Sequence, residues 1–135
     1  MKQLTIAIAV SAGLLFTVAF AQDEHELEGV MKTINGVNGD VRKGVAEKDE
    51  AATVAAATKL AQSFQKVQEH FEEHHMEDGI GFAKTARSTA LDISTVAKAG
   101  DWAKATDDLK TLGGACGSCH AAHRERLPDG TFKMK

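Results

Sequence analysis

Apolar residues recur every three or four positions along four separate stretches of this 135-residue chain. The stretches cover approximately residues 23–45, 49–74, 82–99 and 102–126. This spacing places the apolar side chains of each stretch on one face of a helix, and no stretch of useful length shows the alternation expected of a half-buried strand. Four amphipathic helices joined by short links predict an all-α fold, an antiparallel four-helix bundle.

The apolar faces of the predicted helices consist largely of small and aliphatic residues. The many alanines leave room between the helices for a flat ligand. Gly36 and Gly39 each weaken the first helix by about 1 kcal/mol relative to alanine, so we expect a bulky group to approach closely there. The predicted core positions are Leu27, Val30, Met31, Ile34, Val37, Val41, Val45, Val54, Ala57, Leu60, Ala61, Phe64, Val67, Phe71, Ala83, Ala86, Ala90, Ile93, Val96, Ala97, Trp102, Ala105, Leu109 and Leu112.

Glycine, proline and aspartate residues indicate where these helices begin and end. Gly100 lies at a C-cap position, and Asp101 lies at the N-cap position of the last helix. Asp78-Gly79 and Gly81 predict a break between the second and third helices. Pro128-Asp129-Gly130 predicts a turn, followed by an irregular arm to the C-terminus.

The first 21 residues differ from the rest of the chain. Lys2 is followed by an uncharged run over residues 3–22, which includes Ala19-Phe20-Ala21 just before an acidic cluster. A basic start, an apolar stretch and a small-x-small site predict a secretory signal peptide over residues 1–21. Its removal leaves one domain, residues 22–135, in the periplasm and without stable membrane insertion. The alternative is an uncleaved anchor, because the run approaches the length of a membrane span.

The charge balance argues against two classes of partner. The chain has 16 Lys and Arg residues against 19 Asp and Glu residues, a net charge of -3. Because surfaces that bind nucleic acid are basic, we expect no nucleic-acid partner. The chain also has no polybasic segment that would dock on anionic lipid.

The strongest chemical motif is Cys116-Gly117-Ser118-Cys119-His120. The pattern C-x-x-C-H is typical of covalent haem attachment, in which two thiols bond to the porphyrin and the histidine binds the iron. On a helix, Cys119 and His120 lie three and four positions after Cys116 and therefore close to the same face. Two alternatives are weaker. A structural zinc site needs four ligands, commonly a second Cys or His pair at matching spacing, and a thioredoxin-like dithiol lies near a βαβ pattern, which this sequence lacks. The sequence has no other cysteine.

An all-helical exported chain with C-x-x-C-H near its C-terminus resembles the class II c-type cytochromes, the family of cytochrome c-prime and its low-spin relatives. The resemblance spans residues 27–126 and is strongest at the motif, at Arg124 just after it and at Ala99-Gly100-Asp101. Two positions depart from the family pattern. His123 stands where the family usually has an aromatic residue, and Leu27 stands where it often has an arginine, so any role of that arginine is lost.

The resemblance implies one haem c, bonded to Cys116 and Cys119, with His120 as the proximal iron ligand. In the low-spin members a methionine of the first helix is the distal ligand, and Met31-Lys32 resembles that pattern. Met31 also lies on the predicted inner face, as a distal ligand must. The alternative is that Met31 is an ordinary core methionine, which is the common fate of methionine on an apolar face.

The second axial position separates two functions. Ligation by Met and His raises the reduction potential and suits a one-electron carrier, which is not an enzyme. An iron with an open distal side would instead bind small gases such as nitric oxide or carbon monoxide. A third interpretation is a metal-binding helical protein without haem. The sequence identifies no redox partner, and the family resemblance is compatible with either a monomer or a homodimer.

A histidine-rich segment follows the second predicted core face. His70 and His74 are four residues apart, so both could bind one metal ion, and His75 follows. The residue after His70 is Phe71, so the segment is not an H-E-x-x-H motif. We expect a solvated helix end, with divalent metal binding or a contact with the haem as the alternatives.

Overall fold

The computed structural model describes the backbone of residues 9–135 and the side chains of residues 24–135. Its main elements are four helices followed by a short hairpin, which confirms the predicted all-α fold. The predicted signal peptide, residues 1–21, lies outside the residues whose side chains are described. Within the described residues, no helix is both long enough and apolar enough to span a membrane. The elements are α1 Ala9–Glu47, α2 Glu50–Glu73, α3 Glu77–Lys98, α4 Trp102–His123, β1 Arg124–Arg126 and β2 Phe132–Met134.

Two of the helix starts are capped by aspartate side chains. Asp49 accepts a hydrogen bond of 2.9 Å from the backbone N–H of Ala52, and Asp101 accepts one of 3.0 Å from that of Lys104. Each carboxylate satisfies one of the backbone donors that a helix start leaves without a partner. Gly100 has a φ of +73°, a left-handed conformation that glycine adopts without strain. The predicted boundary between α3 and α4 is therefore confirmed.

The predicted break at residues 78–81 is wrong. The chain turns earlier, at residues 74–76, where His75 has a φ of +54°, and α3 begins at Glu77. Gly79 lies in the first turn of α3 and faces the ring of Phe71. A Cβ atom at this position would be only 2.5 Å from Cδ1 of that ring. The glycine therefore permits close contact between α2 and α3.

Protein groups do not pack closely against Gly36 or Gly39, and the approach of another bulky group at these positions stays a prediction. Apart from the adjacent residues and the local helix backbone, a Cβ atom at either position would have no atom within 4 Å. The close approach between α1 and α2 occurs instead at Gly44, where a Cβ atom would lie 2.6 Å from Oγ1 and 3.0 Å from the backbone N of Thr53.

The C-terminal segment forms an antiparallel hairpin rather than the predicted irregular arm. Arg124 pairs with Met134 and Arg126 with Phe132. The turn at Pro128-Asp129-Gly130 is confirmed, and it is closed by a hydrogen bond of 2.8 Å from the N–H of Leu127 to the carbonyl of Thr131. Helix α4 accordingly ends at His123, three residues before the predicted end.

The predicted apolar faces form one continuous core. Most of the predicted positions are buried, while five of the others pack against the core with partial exposure. Helices that follow one another in sequence pack extensively, whereas α1 and α4 contact each other sparsely. A cleft therefore opens between α1 and α4. The five partly exposed positions are Val30, Met31, Val96, Trp102 and Leu109.

Candidate functional site

The cleft has an inner part, the inner pocket, that residues of all four helices border. It encloses about 790 Å³ of empty space, part of it open to solvent. The lining residues are Met31, Ile34, Asn35, Asn38, Phe64, Val67, Phe82, Ala83, Ala86, Ala115, Cys116, Cys119, His120 and Arg124.

A wider outer pocket continues the cleft towards the hairpin. It encloses about 1640 Å³, including space open to solvent. Its walls are formed by residues of α1, the end of α4 and residues 131–134, with Phe71 of α2. The two pockets share Met31, Asn35, Cys119, His120 and Arg124. The predicted haem motif and the predicted distal methionine therefore border one continuous cleft.

The two cysteines lie on α4 with their side chains partly buried and their thiols free. Burial raises the pKa of Cys116, and the nearby Arg42 partly opposes this effect. Burial also raises the pKa of Cys119 to about 11, with further contributions from Cys116 and Asp78. Both thiols are therefore protonated at neutral pH in the folded chain.

The His120 imidazole is half-buried at the wall that both pockets share. Burial lowers its pKa, and the positive charge of Arg124 lowers it further. The ring is therefore neutral near pH 7, the state in which a histidine nitrogen binds a metal ion. Within the described part of the chain, no hydrogen bond or ion pair occupies the His120 ring nitrogens. This arrangement leaves a nitrogen donor available at the cleft.

The opposite wall of the cleft is formed by α1. Met31 packs against the core with partial exposure, and its side chain borders both pockets. The structure thus brings Met31 to the same cleft as His120. Its placement is compatible with a distal ligand and with a core methionine, so the choice between them stays a prediction.

Two asparagines of α1 add polar groups to this largely apolar wall, and sequence reasoning did not identify them. Asn35 borders both pockets, and Asn38 borders the inner one. The side-chain oxygen of Asn38 is buried and has no hydrogen-bond partner. A buried polar atom without a partner costs about 1–3 kcal/mol, which suits a site where a ligand supplies the missing partner. The donor set fits a haem: two thiols, a neutral imidazole and a thioether around a mainly apolar cleft.

Arg124 lies where α4 passes into the hairpin and borders both pockets. The central carbon of its guanidinium group lies 3.8 Å from the ring centre of Phe132, a cation–π contact. Phe132 and Met134 also line the outer pocket. The turn at residues 128–130 was the only sequence signal that this segment folds back.

His123 connects the end of α4 to the α2–α3 junction. Its ring is buried, with its centre 5.1 Å from that of Phe71. Its Nε2 lies 3.0 Å from Oδ2 of Asp78, an ion-pair distance if the ring is protonated, but the pair lacks hydrogen-bond geometry. His123 borders the outer pocket, as His120 does.

The histidines of the histidine-rich segment border neither pocket, although Phe71 between them lines the outer one. The rings of His70 and His74 are 4.6 Å apart, and His75 occupies the left-handed turn before α3. No group of three or more His, Cys, Asp or Glu residues suited to a metal ion occurs in the described part of the chain. Whether this segment binds a metal stays a prediction.

Comparisons of the chain with protein-family models, with curated proteins and with solved structures found no match. The case for function therefore depends on the residues of the cleft.

Proposed function

We propose that this chain is an exported class II c-type cytochrome that carries one electron by means of a single covalently attached haem. The observation that carries the proposal is the position of the C-x-x-C-H motif. Cys116, Cys119 and His120 all line the cleft between α1 and α4, and Met31 lines it from the other helix. A motif of this kind on a solvated surface would have no pocket to receive the ligand.

Four side chains would hold the haem. Cys116 and Cys119 would each add their thiol across a vinyl group, forming thioether bonds. His120 would be the proximal iron ligand and Met31 the distal one. Held there, the haem iron supplies reversible one-electron oxidation and reduction.

The protein's own contribution is to position these donors and limit the access of water. The buried side chains of Ile34, Phe64 and Val67 form an apolar wall of the inner pocket. Such a wall excludes water and raises the cost of charge, two of the factors that determine a reduction potential. We propose no turnover of a substrate, so the chain is not an enzyme.

Export is part of the proposal, because haem attachment by C-x-x-C-H is expected in the compartment to which the signal peptide leads. Removal of residues 1–21 gives a periplasmic protein that begins at Gln22. Mass spectrometry of the protein purified from the periplasm tests this boundary. A protein that retains residues 1–21 in the membrane fraction would contradict it.

The second function that we consider is reversible binding of a small gas at a five-coordinate iron. One observation favours it: Met31 is only partly buried, and both pockets leave empty space next to it. If Met31 does not bind the iron, the distal coordination position would be open to a diatomic ligand.

Optical spectra of Met31→Ala and of a control variant separate the two functions. Met76 also packs against the core with partial exposure, but it borders neither pocket. We expect a low-spin parent spectrum with a methionine–iron band, loss of that band in Met31→Ala and its retention in Met76→Ala. A high-spin parent spectrum that Met31→Ala leaves unchanged would contradict electron transfer through a Met/His iron and favour gas binding.

A further inference from the structure

We propose that the C-terminal hairpin is a positioning element of this site, in which Phe132 holds the Arg124 guanidinium beside the cleft and thereby raises the reduction potential. The inference rests on the proposed function, because it concerns the electrostatic surroundings of the haem. It assigns a role to residues that the C-x-x-C-H motif does not include.

The hairpin is fixed to the bundle by contacts at its C-terminal end. The backbone N–H of Lys135 donates a hydrogen bond of 2.9 Å to the carbonyl of His123, and its Nζ donates one of 2.9 Å to the carbonyl of Ala121. Met134 pairs with Arg124 and packs against the core. An isolated two-stranded hairpin is only marginally stable in water, so these contacts explain why the segment is ordered against α4.

Phe132 is one of two large apolar side chains that are strongly exposed within the described residues; the other is Leu91. Half of Phe132 remains accessible to solvent, so burial alone does not account for its position. Its ring lies against the Arg124 guanidinium, with 3.8 Å between the guanidinium carbon and the ring centre. A planar guanidinium stacks on an aromatic face in a way that a lysine ammonium cannot, so the contact restricts the orientation of the arginine.

The charge that Phe132 restrains lies close to the proposed proximal ligand. Arg124 follows His120 by four residues, directly after α4 ends, and its side chain borders both pockets, as His120 does. Arg124 forms no ion pair with any described carboxylate. A positive charge held near the iron disfavours the more positive, oxidised state, so the reduction potential rises.

The test compares the reduction potentials of the haem-loaded parent and of three variants. Phe132→Leu keeps an apolar side chain but removes the aromatic face, whereas Phe132→Trp keeps an aromatic face at this position. We expect a lower potential in Phe132→Leu and a potential close to that of the parent in Phe132→Trp. Leu91→Ala, which changes an exposed apolar residue away from the cleft, should leave the potential unchanged. Equal potentials in the parent and Phe132→Leu would overturn the inference, as would a Phe132→Trp variant that matches Phe132→Leu.

A double-mutant cycle separates positioning from a purely structural role. If Phe132 acts through Arg124, Phe132→Leu should shift the potential in the parent and have no effect in an Arg124→Gln background. Equal shifts in both backgrounds would overturn the inference. A parent chain without covalent haem would instead refute the proposed function itself. A haem-loaded parent whose potential ignores Phe132→Leu would refute the hairpin's role alone.

Discussion

Replacing Gly79 with alanine drives a methyl group into the ring of Phe71. The new Cβ atom would lie 2.5, 2.6 and 2.7 Å from three atoms of that ring. Favourable carbon–carbon contacts lie at about 3.5–4.0 Å, so the overlap is about 1 Å at each atom. Phe71 is 1% exposed and packs on His123, which prevents the ring from swinging away. Helix α3 must therefore shift relative to α2.

The magnitude follows from two opposing effects. Overpacking a well-filled core costs about 1–3 kcal/mol, and a helical alanine recovers at most about 1 kcal/mol relative to glycine. Because the Cβ atom would overlap three atoms of a fixed ring, we take the upper part of the overpacking range, about 2–3 kcal/mol. After the gain in helix propensity, Gly79→Ala should lower the free energy of unfolding by about 1–2 kcal/mol. Gly36→Ala is the matched control, because no atom beyond the adjacent residues and the local helix backbone lies within 4 Å of the new Cβ. This variant should gain up to about 1 kcal/mol from helix propensity alone.

Urea unfolding followed by circular dichroism measures both changes. The two variants should move the unfolding midpoint in opposite directions without changing the slope of the transition. A Gly79→Ala protein as stable as the parent would refute the interpretation that close contact with Phe71 requires glycine. A destabilised Gly36→Ala protein would show that space near α1 is more restricted than the described contacts allow.

Three further predictions concern the capping of α4, the core and the thiols. Asp101→Ala should lower the free energy of unfolding by about 0.5–2 kcal/mol, because it removes the N-cap bond to Lys104; an unchanged urea midpoint would contradict this. Leu60→Ala should cost about 2–5 kcal/mol in the same assay because Leu60 is 0% exposed, whereas Leu91→Ala at an exposed site should stay within about 0.5 kcal/mol. With its pKa raised to about 11, Cys119 of the folded haem-free chain should react with iodoacetamide far more slowly at pH 8 than in urea. The same shift should lower the free energy of unfolding as the pH rises from about 9 to about 11, because the Cys119 thiol of the unfolded chain loses its proton in this range while that of the folded chain keeps it. A free energy of unfolding that stays constant over this range would contradict the prediction.

The helical core could be predicted from the sequence because the 3.6-residue period determines which face is buried. Val41, Leu60 and Ile93 are fully buried where the spacing predicted an inner face. The start of α4 was also predictable, since Gly100 and Asp101 act through local backbone geometry. These features depend on residues close together in the chain, so a sequence pattern is sufficient to find them.

The features that the sequence did not reveal depend on contacts between distant segments. Gly79 looks like a helix breaker until the ring of Phe71, on another helix, is known to face it. The hairpin has only three residues in each strand, and its pairing is supported by contacts with the end of α4. For the site, the motif at residues 116–120 was evident, whereas the orphaned oxygen of Asn38 and the stacking of Phe132 under Arg124 became visible only in the fold.

The measurement that tests the central claim most directly is detection of covalent haem after denaturation. The full chain is produced in a host that attaches haem to exported C-x-x-C-H proteins, and the purified product is run on a denaturing gel with a haem stain and weighed by mass spectrometry. A double variant, Cys116→Ser with Cys119→Ser, serves as the control. We predict that the parent band stains and carries the added mass of one haem, while the control carries none. A parent polypeptide without added mass or stain, produced beside an authentic c-type cytochrome that matures normally, would contradict the account.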